Sequence, residues 1–301
     1  MQESNGNGLI AAALYKFVSL PDCIALRGPL QAYCDRHDLK GTLLLAPEGI
    51  NGTVAGTRAA IDALLAYLRS DPRLADLDHK ESPASKLPFR RMRVRVKREI
   101  VTLGVPVDPT NDVGRYVKPS DWNALLDDPD VLVIDTRNDY EVALGTFQGA
   151  VNPGIKTFRD LPQWLASDAR LAARPKVAMF CTGGIRCEKS TAWLRRQGFA
   201  EVYHLQGGIL KYLEEIPESA SRWEGECFVF DERVTLGQGL RKSERELCRT
   251  CCRPIDADDR RSSKFVEGYS CPRCFDDMPA HKQDSLRERK RQDMLTMRRE
   301  G

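Results

Sequence analysis

Cys181 is followed by Thr182, Gly183, Gly184, Ile185, Arg186 and Cys187, so a thiol, two adjacent glycines and an arginine share one short run. Residues 177–180 before it form an apolar stretch of strand length, and residues 188–196 after it repeat at helical spacing. A cysteine between the carboxyl end of a strand and the amino end of a helix sits where unpaired amides converge and favour negative charge. That location lowers a thiol pKa and supplies a thiolate nucleophile, and the same amides can cradle an anion or a persulfide. Thr182, Gly183, Gly184, Ile185 and Arg186 are therefore the expected anion-binding loop around Cys181. Cys187 has two readings, a resolving thiol that pairs with or accepts sulfur from an oxidised Cys181, or ordinary helix packing. A cysteine-dependent phosphatase is disfavoured. It needs arginine six positions after the cysteine, where Cys187 stands; Arg186 comes one residue early, and Phe180 rather than histidine precedes the cysteine.

A second constellation is Cys248-x-x-Cys251 and Cys271-x-x-Cys274, with nineteen residues between the pairs. Two such knuckles supply four thiolates to one tetrahedral zinc, and Pro254 and Pro272 stand beside them as knuckle turns require. Four protein ligands close the site, so the expected zinc is structural. Cys252 could replace Cys251, and free or redox-cycling thiols are the other readings.

A third feature is positive charge. Lys86, Arg90, Arg91, Arg93, Arg95, Lys97 and Arg98 are seven basic residues in a stretch with no acidic one. Arg91, Arg93, Arg95 and Lys97 alternate with Met92, Val94 and Val96, which on a strand puts four cations on one face. Either this is a solvated strand face, or Lys86, Arg90, Arg91, Arg93, Arg95 and Lys97 neutralise the phosphates of a nucleic acid.

These groups must be positioned by three segments. Residues 11–18, 42–46 and 50–55 read as strands, residues 24–37 and 58–69 as helices, and the basic stretch as a last strand. Thr57 or Gly56 can cap the second helix. The order βαββαβ predicts a ferredoxin-like sandwich over residues 1–103. Residues 104–117 are rich in Gly and Pro and read as a linker. Residues 118–217 alternate short apolar strands with helices, predicting an α/β domain with a parallel sheet covered on both faces. Residues 218–301 form a polar, cysteine-rich region ending in a mixed-charge, helix-like tail over 282–299.

Composition sets outer bounds. A 301-residue chain with 42% hydrophobic residues suits two or three folded domains, and its net charge of +3 argues for no partner class by itself. Its apolar runs are too short to span a bilayer, and residues 1–8 do not resemble a signal peptide, so a cytoplasmic protein without membrane contact is expected. Ten cysteines in a reducing compartment then favour metal or catalysis over disulfides. No flavin or nicotinamide site is evident, and the four histidines, His37, His79, His204 and His281, are scattered, with packing or surface roles the plain reading.

Asp135-Thr136-Arg137, Glu141, Gly145, Gly149-Ala150-Val151-Asn152 and Leu205-Gln206-Gly207-Gly208-Ile209 resemble the flanking signatures of the rhodanese superfamily, in which the loop cysteine carries sulfane sulfur. Joined to Pro47-Glu48-Gly49-Ile50-Asn51-Gly52-Thr53 upstream and the cysteine-rich tail, the run Cys-Thr-Gly-Gly-Ile-Arg-Cys-Glu-Lys-Ser at 181–190 resembles the bacterial tRNA uridine hydroxylase family over nearly the full chain. That resemblance implies a tRNA-modifying enzyme that forms 5-hydroxyuridine at the wobble position with molecular oxygen as co-substrate. It leaves persulfide sulfur transfer and a noncatalytic RNA-binding scaffold as alternatives. Asp135 and Arg137 are expected to tie the fold together. The N-terminal part looks acylphosphatase-like, but residues 19–23 lack the glycine-rich, arginine-bearing turn of an esterase, so an RNA-binding module is expected.

Overall fold

The computed structural model describes residues 8–84, 87–231, 233–276, 278, 279, 281, 282, 284, 285, 288 and 291. The N-terminal unit runs β1 (Leu9–Phe17), α1 (Cys23–Arg36), β2 (Lys40–Ala46), β3 (Gly49–Thr57), α2 (Arg58–Arg69), β4 (His79–Ala84) and β5 (Met92–Val96). Its five strands lie in the order β4-β1-β3-β2-β5. Both helices cover one face: Leu30 and Cys34 of α1 and Ile61, Leu64, Leu65 and Leu68 of α2 pack on Leu14, Leu43, Leu45 and Val54. Each such buried aliphatic side chain contributes roughly 1.5–3 kcal/mol relative to exposure. Thr57 caps α2, its Oγ1 accepting from the Ala60 amide at 3.2 Å.

The strand that closes the βαββαβ pattern is β4, antiparallel to β1, and the basic strand β5 is an additional strand parallel to β2. Sequence periodicity points to β5 because its apolar residues alternate cleanly. The sequence of β4, His-Lys-Glu-Ser-Pro-Ala, is polar and contains Pro83, which an edge strand tolerates and a central one does not.

The middle unit contains β6 (Arg115–Val117), α3 (Pro119–Asp127), β7 (Val131–Asp135), α4 (Asp139–Val142), β8 (Gly145–Phe147), α5 (Leu161–Ser167), β9 (Lys176–Phe180), α6 (Ile185–Arg196), β10 (Val202–Leu205) and α7 (Gly208–Glu215). Strands β6-β10-β9-β7 form a parallel sheet in that order. Alternation along β9 sends Val177 and Met179 to a core with Leu161, Leu165 and Leu194, while Ala178 and Phe180 face Trp122, Ile209 and Tyr212. Helices α5 and α6 therefore cover one face, and α3 and α7 the other.

Beyond α7, β11 (Trp223–Gly225) pairs with β8. Short hairpins β12 (Cys227–Phe228) with β13 (Thr235–Leu236) and β14 (Glu246–Leu247) with β15 (Pro254–Ile255) follow, then α8 (Ala257–Arg261). Of the tail expected over 282–299, most lies outside the described residues; 282, 284, 285, 288 and 291 are helical. Among the described residues, no helix is long and apolar enough to cross a membrane.

Candidate active site

Strand β9 delivers Cys181 to the start of the loop, and α6 begins at Ile185. Cys181 is only 1% exposed. Its Sγ accepts a hydrogen bond from the Gly184 amide at 3.1 Å, with the Cys187 amide and thiol as further donors. Gly184 has φ of 107°, a conformation that aims its N–H at the sulfur and that residues with a side chain avoid. The loop is held from behind by α7: the Ile209 and Leu210 amides donate to the Cys181 and Thr182 carbonyls at 2.9 and 3.1 Å. Gly208 is required there, since a Cβ would stand 2.5 Å from the Cys181 carbonyl oxygen.

Burial alone would raise the Cys181 thiol. The Cys187 thiol, the Arg186 charge and the two amides outweigh it and pull the pKa down to about 6, so the thiolate predominates at neutral pH. Burial and the neighbouring Cys181 hold the Cys187 thiol well above its ordinary range, so of the two cysteines Cys187 is the donor and Cys181 the one with thiolate character.

Arg186 does not point freely into the loop. Its guanidinium forks onto Glu141, with both N–H···O bonds at 2.9 Å, and both residues are buried. A paired guanidinium still lends positive potential to Cys181, but its donors are committed. Glu141 in turn accepts from the Asn138 amide at 3.2 Å, which fixes α4. Asp135 and Arg137 form a second buried pair at 2.6 Å, and Arg137 also donates to the Gly145 carbonyl. Of the other loop residues, Thr182 is half-buried with its Oγ1 beside the buried Cys227 thiol, Gly183 is half-buried, and Ile185 packs on Phe17, Ala46 and Ile100 of the N-terminal unit.

That last contact belongs to an interface that residue spacing could not reveal. Tyr15, on the face of β1 opposite the helices, donates its hydroxyl to Glu188 Oε1 at 2.8 Å and lies over Gly184. Lys189 is 1% exposed and reaches Glu48 at 2.9 Å, Glu99 at 2.5 Å and the Val101 carbonyl at 3.1 Å. Lys80 of β4 donates to the Gly207 carbonyl at 2.6 Å. Glu48 and Asn51 of the Pro47-to-Thr53 motif are bound to residue 100: Glu48 accepts from the Ile100 amide at 2.7 Å and Asn51 donates to its carbonyl at 2.9 Å. The two motifs singled out in the sequence thus meet each other, and the Asn51 amide is engaged in structure. Motif reading gave no role to Tyr15, Glu188 or Lys189, which this interface brings to the loop.

Elsewhere, Cys248, Cys251, Cys271 and Cys274 come together with all four sulfurs within 4.8 Å of one another. Thiolates about 2.3 Å from a zinc stand about 3.8 Å apart at the corners of a tetrahedron. The pairs Cys248–Cys274, Cys251–Cys271 and Cys271–Cys274 lie at 4.0, 3.6 and 3.8 Å. The cluster can hold a metal ion. Cys252 is exposed and outside it.

Arg90, Arg91, Arg93, Arg95, Lys97 and Arg98 are all exposed along and beside β5, with Val94 buried beneath. None forms an ion pair with another described residue, and Lys86 lies outside the described residues.

Residues 9–100 match the UPF0176 acylphosphatase-like domain and residues 118–215 the rhodanese-like domain. A curated tRNA uridine(34) hydroxylase of Albidiferax ferrireducens is 60% identical over 94% of this chain and 90% of its own length. Proteins of the same name from Acaryochloris marina and Agrobacterium fabrum are 56% and 55% identical, each over 96% of this chain and 94% and 92% of their own lengths. With the rhodanese-type loop, the domain in front of it and the cysteine-rich region behind it all covered at this level of identity, the chain belongs to the tRNA uridine(34) hydroxylase family.

Proposed function

We propose that this chain hydroxylates C5 of the uridine at position 34 of tRNA, with dioxygen as co-substrate and Cys181 as the reactive group. The observation that carries the reading is the Cys181 sulfur, buried yet held as a thiolate by convergent donors. Uracil is attacked by soft nucleophiles at C6, and addition there makes C5 enolate-like and electron-rich, which is what oxygen transfer to C5 needs. The thiolate does this without a separate base to deprotonate it. Gly184 and Cys187 steady the sulfur when it is an anion, and Glu141 keeps Arg186 in place as its electrostatic partner.

The exposed cations along and beside β5, Arg90, Arg91, Arg93, Arg95 and Lys97, together with Lys86, are the surface we assign to the tRNA phosphates. That none of the described ones among them forms an ion pair with another described residue supports this assignment over an ordinary surface strand. Cys248, Cys251, Cys271 and Cys274 would hold a zinc, which supplies a folding constraint to the C-terminal region and takes no part in the reaction.

The test is mass spectrometry of tRNA nucleosides from cells with and without the gene. Deletion should remove 5-hydroxyuridine and its derivatives, and a Cys181→Ser copy should fail to restore them. An unchanged nucleoside profile overturns the reading. Because the same amides suit a sulfane sulfur, labile sulfur on Cys181 released by cyanide, with normal hydroxylation in its absence, would instead favour sulfur transfer.

A further inference from the structure

Glu188 follows Cys187 on the first turn of α6 and is buried, 9% exposed. Among the described residues its partners are hydroxyls and not cations: Tyr15 from β1 at 2.8 Å, and Tyr116 from β6. Its neighbour Lys189 is turned away to Glu48 and Glu99. The groups that face Glu188 are thus Tyr15, Tyr116 and the Cys181 sulfur, and behind Tyr116 stands His204 of β10, its ring centroid 4.1 Å from that of Tyr116. Among the described residues both ring nitrogens of His204 lack partners, and burial pulls its pKa down to about 4, so it is neutral.

A buried carboxyl without a cation is costly, and a fold that only needed packing here would be better served by an apolar residue. Burial, and less strongly the Cys181 charge, raise Glu188 while hydrogen bonds from Tyr15 and Tyr116 hold it down, and the balance stands at about 7. A group that titrates near neutrality can both take and release a proton in one catalytic cycle. It also stands over the loop. The Gly184 amide is 3.1 Å from Sγ, and the Tyr15 oxygen is 2.8 Å from where a Cβ on Gly184 would stand, so the Tyr15–Glu188 pair roofs the loop that holds the nucleophile.

Resting on the assignment of Cys181 as the group that adds to uracil C6, we propose that Glu188 is the base that takes the C5 proton and so releases the hydroxylated base, with Tyr15 as its positioning residue. In the adduct, C6 bears the cysteine sulfur and C5 bears the new hydroxyl and one hydrogen. The C5–H bond breaks, its proton passes to the Glu188 carboxylate, and its electron pair becomes the C5=C6 double bond. The C6–S bond breaks at the same stage, and its pair leaves on sulfur as the Cys181 thiolate. The step consumes no oxidant or reductant. A stabilised thiolate is also a good leaving group, so the donors that activate Cys181 for attack serve its departure. The N-terminal unit thereby contributes a hydroxyl to the site in addition to any RNA contact.

The experiment follows 5-hydroxyuridine formation on a tRNA transcript against pH with the full-length protein, alongside alkylation of Cys181 by iodoacetamide. Glu188→Gln preserves shape, and its turnover should fall by about 100-fold or more. It should also lose the limb near pH 7, still alkylate at Cys181 as a thiolate, and accumulate a Cys181–tRNA adduct that survives denaturation. Tyr15→Phe leaves the core of the middle unit intact and removes a bond that holds the carboxyl down, so the limb should move to higher pH. Wild-type rate and limb in Glu188→Gln, or an unmoved limb in Tyr15→Phe, overturns the assignment of Glu188 while leaving Cys181 in place. Product formation by Cys181→Ser would overturn both together, which separates the two failures.

Discussion

Lys189, on the helix that follows Cys181, lies 2.9 Å from Glu48 in the turn between two strands of the N-terminal sheet. With Glu99 as its other partner, the ammonium is enclosed by two carboxylates of the N-terminal side. The loop that carries Cys181 is therefore built by one unit and clamped by another.

Lys189→Met leaves Glu48 and Glu99 facing a closed interface without a cation. Loss of one partner from a buried ion pair costs about 3–5 kcal/mol, and both carboxylates here are about one-fifth exposed, so the lower end applies. Thermal unfolding should lose several degrees, or split into two transitions as the units uncouple. A single transition at the wild-type temperature would show that the clamp contributes nothing.

Cys181 should alkylate with a midpoint near pH 6. Cys187→Ser replaces the thiol donor and should shift that midpoint. Cys187→Ala removes the donor altogether and should raise it. The same shift is linked to folding: the folded pKa lies below the ordinary value of 9, so the deprotonated protein is favoured. The stability this adds is complete above pH 9 and disappears as pH falls through about 6. A denaturation series of wild type against Cys181→Ser over that range checks the sign; a difference that grows toward acid would contradict it.

Zinc should be present at about one equivalent per chain in protein purified without chelator. Cys271→Ser, at a wholly buried position, should lose it and expose the C-terminal region to protease while the parallel sheet stays folded. Metal-free protein with unchanged protease resistance would exclude a structural metal.

Reversing Arg91, Arg93 and Arg95 to Glu should weaken tRNA binding and flatten its dependence on salt by about two to three log units per log unit of salt, as expected when three phosphate contacts are lost. Binding with the wild-type salt slope would make β5 ordinary surface.

What was legible in the sequence was local. The strand, glycine loop and helix around Cys181 lie within a few residues of one another, and the cysteine knuckles declare themselves by spacing. The Tyr15–Glu188 and Arg186–Glu141 pairs and the clamp were not legible, because they join distant positions: Tyr15 and Glu188 are 173 residues apart. Arg186 illustrates the difference. Its position beside the cysteine suggested a free anion ligand, but its donors are taken by Glu141, 45 residues upstream. The basic strand was placed correctly as a strand, and only its rank was mistaken, since an edge strand such as β4 has little hydrophobic pattern to read.

Cys181 combines thiolate character with near-complete burial beneath Tyr15 and the loop. Peroxide and other small oxidants attack thiolates, and a thiolate at neutral pH on an open surface would be consumed between turnovers. Here burial limits such attack even though the sulfur is ionised. The closed interface is in that sense a resting-state shield for the thiolate, letting it persist in the presence of oxygen.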